Sequence, residues 1–234
     1  MRASTGEFLA EGPQAVREAL AVGAALEVFA TPKFDDWRAL GQASIWHSVD
    51  DAVVADIADA VTPQGIVARC LSVVRTLDAL PAGARLVAVG VDVRDPGNAG
   101  SIIRAADAAG ADAVVFAGDS VDPLNPKAVR ATVGSLFHLP IIVDRDLIGV
   151  VAALRERRVN LLAADGGGDT DIFDADLAQP TAWLFGNEAH GLGTWAAVAD
   201  LRVAIPIYGR AESLNLATAA AVCLYMSARA QRKN

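Results

Sequence analysis

DPGNAGSIIRAADAAG, residues 95–110, is a glycine-broken turn that follows a predicted strand and opens a helix. Its glycines, Gly97 and Gly100, do not form the G-x-G-x-x-G pattern of dinucleotide-binding turns, and no Gly-Lys-Ser/Thr follows as in a P-loop. The start of a helix still presents backbone N–H groups to an anion or a polar ligand. Arg104 stands among alanines and isoleucines, so it is either half of a structural salt bridge or a residue that contacts a ligand.

A second segment of the same form is WLFGNEAHGLG, residues 183–193. Its apolar strand runs directly into Gly-Asn-Glu, which places Glu188 just beyond a strand end, where open α/β sheets bind their ligands. The alternative is an exposed acid in a turn. His190 is predicted to be a turn residue, because no second His or Cys is near it in sequence.

The third segment is IPIYGRAESLNLATAAAV, residues 205–222, a strand end, a loop and the start of a helix. Ser and Asn before an apolar run are typical helix N-cap residues. All three segments thus consist of a strand, a polar glycine-bearing loop and a helix. We therefore predict that one rim of a sheet gathers Asn98, Arg104, Glu188, Ser213 and Asn215.

Composition sets the class of the chain. The 234 residues are 53% hydrophobic, enough for one large or two small domains. No stretch reaches the ~18 uninterrupted apolar residues of a membrane helix, and the start MRASTGEFLAEG is too polar for a signal peptide. Cys70 and Cys223 lie far apart without metal-ligand spacing. We expect a cytoplasmic protein with two reduced, buried thiols, no membrane contact and no metal.

The charge balance argues against a general nucleic-acid binder. The net charge is −8, whereas affinity for a phosphate backbone comes from clustered Lys and Arg. Residues 1–79 carry 6 basic and 11 acidic side chains, and residues 80–234 carry 14 and 17. Any nucleic-acid contact must therefore depend on a local basic patch.

The pattern of apolar runs predicts two α/β domains, residues 1–79 with a linker at 75–84, and residues 80–234. In the first we predict a helix at 12–23, strands at 26–31 and 45–49, a helix after Asp50 and a strand within 62–70. In the second, near-continuous apolar runs predict a parallel sheet with both faces covered. Its strands are expected at 85–91, 112–116, 139–143, 159–164, 181–185 and 201–204, with a last helix at about 214–230. DGGGDTD, residues 165–171, is predicted to be a flexible acidic loop.

The three segments, in order, resemble motifs one, two and three of the SpoU (TrmH) family. These are S-adenosylmethionine-dependent RNA ribose 2′-O-methyltransferases of the SPOUT superfamily. NPKAVRATVGSLFHLPI, residues 125–141, is similar to the family's connecting segment, so the resemblance covers about residues 85–230. The front module resembles the family's ribosomal-protein-like substrate-binding domain, for which TPQGIVA is a typical ending. Members usually carry another helix before the GEFLAEGPQAVREAL stretch, so a shortened N-terminus is one reading of this chain.

The resemblance implies a C-terminal trefoil-knotted domain, one of the few exceptions to the rule that chains are unknotted. The cofactor would lie bent in the knot, and its adenine would be held by main-chain groups. It also implies a homodimer formed through the knot, with an Ala-rich last helix that lets two copies approach closely. The cofactor-binding positions are expected at Gly186, Asn187, Ile205 and Leu214, and the catalytic positions at Asn98, Arg104, Glu188, Ser213 and Asn215.

The family account gives Arg104 the role of base, assisted by a substrate phosphate. A guanidinium is a very weak acid that keeps its proton in proteins, so it is a poor base. We therefore interpret Arg104 as a clamp on the phosphate that also orients the hydroxyl, with the proton leaving to water or phosphate. Asn98 and Ser213 would position Arg104 and the ribose, and Glu188 and Asn215 would shape the pocket.

The RNA contacts are expected at Lys127, Arg130 and Arg210, with Arg155, Arg157 and Arg158 as further basic groups. The appended front module favours 23S ribosomal RNA as the substrate, by family analogy. The alternatives are a tRNA 2′-O-methyltransferase, a catalytically inactive knotted RNA-binding protein and, more distantly, a Rossmann oxidoreductase. Because the catalytic positions are intact, the inactive protein is disfavoured.

Overall fold

A computed structural model describes residues 5–41, 43 and 45–232. Contacts divide the chain into a first unit, Met1–Val73 with Asp122–His138, and a second unit, Val74–Val121 with Leu139–Asn234. The sequence-based boundary after residue 79 differs from this division at two places. Residues 74–75 pair within the second unit's sheet, and the segment 122–138 packs with the first unit.

The strands and helices have the following bounds. The strands are β1 (Glu7–Glu11), β2 (Ala25–Ala30), β3 (Ile45–Ser48), β4 (Ile66–Leu71), β5 (Val74–Arg75), β6 (Leu86–Val91), β7 (Ala113–Ala117), β8 (Ile141–Asp144), β9 (Asn160–Ala164), β10 (Thr170–Asp171), β11 (Thr181–Phe185) and β12 (Leu201–Ala204). The α-helices are α1 (Pro13–Ala21), α2 (Asp51–Ile57), α3 (Pro96–Ala109), α4 (Pro126–Thr132), α5 (Leu147–Glu156) and α6 (Leu216–Gln231). Short 3-10 helices span Pro32–Ala39, Leu77–Ala79, Ser135–Phe137 and Gly193–Val198.

The first unit is built on a four-stranded mixed sheet in the order β1-β4-β2-β3. Strand β4 runs antiparallel to β1 and β2, and β3 runs parallel to β2. Every second residue of β1 is buried, as in a strand with one covered face, and Phe8 and Ala10 enter the core. Strand β1 was missed from the sequence because Glu residues bound its short run. The predicted strands at 26–31, 45–49 and within 62–70 are confirmed as β2, β3 and β4.

The second unit contains an eight-stranded sheet in the order β10-β12-β9-β11-β6-β7-β8-β5, in which every neighbouring pair is parallel. The predicted parallel sheet is therefore confirmed. All six predicted strands are present within two residues of their expected ends. The two-residue strands β5 and β10 were not predicted; β5 begins the expected linker 75–84 and β10 ends the expected loop 165–171.

Helices cover both faces of this sheet. On one face, α5 and the 3-10 helix at 193–198 pack on a cluster that includes Val87, Val150 and Leu184. On the other face, α6 lies against β11 and β6 and packs along α3. There the buried Trp183 Nε1 donates to Ser227 Oγ at 2.8 Å, which attaches the last helix to the sheet. The knot itself stays a prediction.

Two further features bear on the expectations. Cys70 and Cys223 are free and buried, and burial raises the pKa of Cys70 to about 12 and raises that of Cys223 as well. Among the described residues, no helix is long and apolar enough to cross a membrane, and no group of three His, Cys, Asp or Glu side chains is placed to hold a metal ion.

Candidate functional site

Two neighbouring strands bring the first two sequence segments together. Strands β6 and β11 are parallel and paired, with Gly90 opposite Phe185, so their carboxyl ends lie at the same edge of the sheet. The turn into α3 follows β6, and the loop 186–192 follows β11. This is the edge at which open parallel sheets bind ligands.

Glu188 joins the two loops. Its carboxylate accepts hydrogen bonds from the backbone N–H groups of Arg94 at 3.2 Å and Asp95 at 3.1 Å, and from Asn98 Nδ2 at 3.0 Å. Asp95 caps α3 by accepting from the N–H of Asn98 at 2.9 Å. The carboxylate of Glu188 thus lies at the start of a helix, where the helix dipole favours negative charge.

The environment of Glu188 keeps its carboxyl group ionised. Partial burial raises the pKa of Glu188, but the hydrogen bonds from Asn98 and the backbone N–H groups outweigh burial, and the pKa lies below its usual value. A carboxyl with a lowered pKa is a poor proton donor or base at neutral pH. Glu188 is therefore suited to fixing the two loops.

Asn98 extends this network to the third segment. Its Oδ1 accepts from Asn215 Nδ2 at 3.0 Å. Asn215 is the N-cap of α6, and its Oδ1 accepts from the N–H groups of Ala217 at 3.0 Å and Thr218 at 3.2 Å. The structure thus brings together three of the five predicted rim residues, and the N-cap position predicted for Asn215 is confirmed.

The loop after β11 folds tightly back on itself. Asn187 and Gly191 exchange two backbone hydrogen bonds of 2.8 Å, and Asn187 Nδ2 donates to the carbonyl of Asp92 at 2.9 Å. A Cβ at position 186 would collide with the backbone of Gly191 and Leu192. Only glycine therefore fits at position 186, one of the expected cofactor-binding positions.

The loop between β12 and α6 leaves its main chain open. Within the part of the chain that the structure describes, no backbone group of residues 206–213 takes part in a hydrogen bond. Ile205 is half-buried, and Leu214 and Tyr208 are exposed. Unpaired main-chain donors and acceptors beside apolar side chains match the hydrogen-bonding edge and the flat face of an adenine ring.

Arg104 and Ser213 are not part of the network. Both are exposed, and neither has a hydrogen-bond or ion-pair partner in residues 5–41, 43 and 45–232. Arg104 lies six residues beyond Asn98 on α3, about 9 Å along the helix axis. The structural salt bridge considered for Arg104 is therefore absent from the described part of the chain, and no contact places Asn98 or Ser213 against Arg104.

The three basic residues expected to contact RNA have different surroundings. Lys127 is exposed on α4 in the first unit, and Arg210 is exposed in the loop before α6 in the second. Arg130, on α4, donates to Glu11 at 3.2 Å and to Asp59 at 2.9 Å. Its charge is thus balanced by two carboxylates of its own unit.

Sequence reasoning missed the backbone donors of Arg94 and Asp95, on which the position of Glu188 depends. Asp95 followed by Pro96 is a recognisable N-cap signal, because Pro is favoured at the first helical position. That signal predicts free N–H groups at the helix start. It does not say which acidic side chain, more than 90 residues away, accepts from them.

A profile of the SpoU rRNA Methylase family matches residues 85–225. The chain belongs to this family. A second profile, the MRM3-like substrate binding domain, matches residues 1–68. The SpoU match contains all three rim segments, and the MRM3-like match covers most of the first unit's sheet.

Relatives of the family extend the match over the whole chain. The 23S rRNA (guanosine(2553)-2′-O)-methyltransferase RlmP of Bacillus subtilis is 35% identical over 228 residues, which is 96% of this chain and 89% of that protein. The 23S rRNA (uridine(2479)-2′-O)-methyltransferase of Streptomyces viridochromogenes is 44% identical over 140 residues, 57% of this chain and about half, 49%, of that protein. The crystal structure of the SpoU methyltransferase AviRb from Streptomyces viridochromogenes in complex with AdoMet superposes with a TM-score of 0.88 at 32% identity, and covers 100% of this chain and 94% of that one.

Proposed function

We propose that the protein transfers a methyl group from S-adenosylmethionine to a ribose 2′-hydroxyl of 23S ribosomal RNA. The observation that carries the proposal is the SpoU profile over residues 85–225, whose three segments meet in the hydrogen-bonded network of Glu188, Asn98 and Asn215. The relatives in Bacillus and Streptomyces are named as 23S rRNA 2′-O-methyltransferases. Large-subunit rRNA is therefore the preferred substrate class over tRNA, and the enzyme acts in the cytoplasm.

The residues at the rim fit S-adenosylmethionine. The open main chain of residues 206–213 and the half-buried Ile205 provide hydrogen-bonding groups and an apolar wall for the adenine. The tight loop from Gly186 to Leu192 follows β11 at the same edge of the sheet as the end of β6. When bound, the cofactor supplies a methyl group activated on a positively charged sulfur.

Arg104 is the group free to meet the RNA. It is exposed and unpaired within the described part of the chain, so its guanidinium can bind a phosphate through two parallel hydrogen bonds. A phosphate fixed in this way places the adjacent ribose, and alignment of hydroxyl and methyl lowers the barrier of the transfer. The proton leaves the hydroxyl to water or to the phosphate, because a guanidinium offers no acceptor for it.

The two parts of the chain divide the work. Residues 1–79, together with the segment 122–138 that packs in the first unit, select the RNA, and the rest of residues 80–234, in the knotted fold, performs the transfer. Arg210 and Ser213, exposed on the same loop as the adenine site, contact the RNA on the cofactor side, and Lys127 contacts it from the first unit. Arg130 contributes by supporting the structure around it.

The active form is a homodimer built on the C-terminal unit. Helix α6 is rich in alanine and exposes Tyr225 on its surface. Small side chains allow a second copy to approach the helix closely. Light scattering should give a mass of about twice 24.2 kDa at micromolar concentration, and a mass near 24.2 kDa would reject the dimer.

A transfer assay tests the proposed function. The protein is incubated with S-adenosylmethionine labelled in its methyl group and with an unmodified transcript of 23S rRNA, with unmodified tRNA as the parallel substrate. We expect label in the 23S transcript and none in tRNA. Label in tRNA alone would replace the substrate, and binding of NAD in calorimetry with no response to S-adenosylmethionine would reject the enzyme class.

A further inference from the structure

A cavity of about 380 Å³ lies in the first unit, and none of the rim residues lines it. Its walls come from the end of β1, the start of α1, the segment 58–67 and helix α4. Buried Ala15, Ile66 and Val67 lie beneath it, and the half-buried Ala58 and Ala60 form its apolar side. The volume lies at the lower end of the ~300–1,000 Å³ range of small-ligand pockets.

The charged groups of this cavity are already paired. Glu11 has a side chain only 4% exposed, and its carboxylate accepts from the N–H groups of Asp59 at 3.0 Å and Ala60 at 3.1 Å. The same carboxylate and that of Asp59 bind the guanidinium of Arg130. These contacts hold β1, the segment after α2 and α4 together, and they leave the cavity without an unbalanced charge for a phosphate.

The mouth of the cavity carries neutral polar side chains. Gln14, Thr62 and Gln64 are exposed and line it. The Oε1 of Gln64 lies over Gly12, 2.8 Å from where a Cβ would stand, and Gly12 has a φ of 86°. Two carboxamides and a hydroxyl beside the half-buried alanines match the hydrogen-bonding edge and the flat face of a nucleobase.

We propose that this cavity binds one unstacked nucleobase of the RNA substrate and so helps the first unit to choose its RNA. The inference rests on the proposed function for the identity of the ligand as RNA. A base enters with its flat face against the half-buried Ala58 and Ala60, and its edge meets Gln14 and Gln64. Paired Arg130 and Glu11 stabilise the wall and do not contact the ribose-phosphate backbone.

A filled cavity tests this site. Ala58→Phe places a ring in the cavity without changing charge, and Ala55→Phe puts the same ring on the exposed side of α2, outside the lining. Gln64→Ala removes one amide without adding bulk, and it tests the site even if Ala58→Phe does not fold. The probe is an unmodified transcript of 23S rRNA, measured by filter binding at several salt concentrations, with a melting curve for each variant.

We expect Ala58→Phe to weaken RNA binding at least ~10-fold, because the ring excludes the base, and Gln64→Ala to weaken it ~3- to 10-fold, the scale of losing one hydrogen bond. Ala55→Phe should bind as the wild type does. The slope of binding against salt should not change, because a base contact releases no counterions. Affinity for S-adenosylmethionine should stay the same in all three variants.

The outcomes separate the two proposals. Wild-type affinity in a folded Ala58→Phe and Gln64→Ala would overturn the nucleobase site. Weaker binding together with a salt slope reduced by about one would overturn it in favour of a phosphate site. A wild type that binds the transcript but methylates no RNA would reject the proposed function while the variants still decide the cavity, and a wild type that binds no RNA would reject both.

Discussion

Asn98 and Arg104 lie on the same helix, α3, but their surroundings differ sharply. Asn98 donates to Glu188 and accepts from Asn215, so it is fixed between two loops. Arg104 has no partner in the described part of the chain and is exposed. An exposed arginine without a partner keeps its side-chain entropy but adds no contact to the fold. The fold itself therefore does not require an arginine at this position. We propose that the fixed residues shape the site and that Arg104 acts on the RNA that enters it.

The largest effect should come from Arg104. Arg104→Ala should cut the rate of methyl transfer at least ~10²-fold, the scale of losing one positioning or proton-handling group. Affinity for S-adenosylmethionine and the melting temperature should stay nearly unchanged, because no contact within the described chain is lost. Single-turnover methylation, calorimetry and a melting curve on the same preparation measure all three.

Arg104→Lys is the matched control for charge. A lysine keeps the positive charge but cannot form two parallel hydrogen bonds to a phosphate. It should therefore recover little of the lost rate. A lysine variant as fast as the wild type would show that Arg104 acts only as a charge.

The fixed residues should give the opposite pattern. Asn98→Ala leaves Glu188 with one donor fewer and Asn215 Nδ2 without its acceptor. We expect the affinity for S-adenosylmethionine to fall ~10-fold, in line with the ~1–2 kcal/mol of such contacts, with the rate at saturating cofactor changed less. If the rate fell as for Arg104→Ala while cofactor affinity held, the division between the two residues would fail.

A purely structural contact in the same unit sharpens the comparison. Ser227→Ala leaves the fully buried Trp183 Nε1 without its acceptor. The cost should be about 1–3 kcal/mol of stability, seen as a lower melting temperature. Turnover per folded molecule should match the wild type, which an active-site titration with labelled cofactor can verify.

The smallest effect should be that of pH on Glu188. Because its folded pKa lies below the usual 4.5, the ionised carboxylate contributes stability that is fully present above about pH 4.5 and is lost as the pH falls through the folded value. Cofactor affinity should thus be insensitive to Glu188 between pH 5 and 8. Glu188→Gln should weaken cofactor binding a few-fold at neutral pH. It should also remove the part of the stability that the wild type loses in acid. If the glutamine variant lost as much stability in acid as the wild type, another group would be responsible for that loss.

The sheet of the second unit was predictable because its strands are buried on both faces. Strands β6 and β11 are unbroken apolar segments in the sequence, and the polar loops after them mark where the strands end. Asn98, Glu188 and Asn215 could also be assigned to one rim, since parallel strands present their carboxyl ends together. Resemblance to the SpoU family then selected among the possible chemistries.

Other features depend on contacts that periodicity does not encode. Strand β1 is short and ends in Glu11, which reads as a polar boundary until its carboxylate is seen to be bonded in the interior. The segment 122–138 follows β7 in sequence yet packs with the first unit, partly through Arg130. Residue type alone did not reveal that Arg130 pairs with Glu11 and Asp59, and its contact with RNA stays a prediction.

The most direct test of the central claim is the chemical identity of the methylated product. The unmodified 23S transcript is treated with S-adenosylmethionine and wild-type protein or Arg104→Ala, digested to nucleosides and analysed by mass spectrometry. We predict one 2′-O-methylated nucleoside with the wild type and almost none with Arg104→Ala, although that variant binds the cofactor normally. A nucleoside methylated on its base, or an equal yield of the 2′-O-methyl product from the variant, would contradict the account.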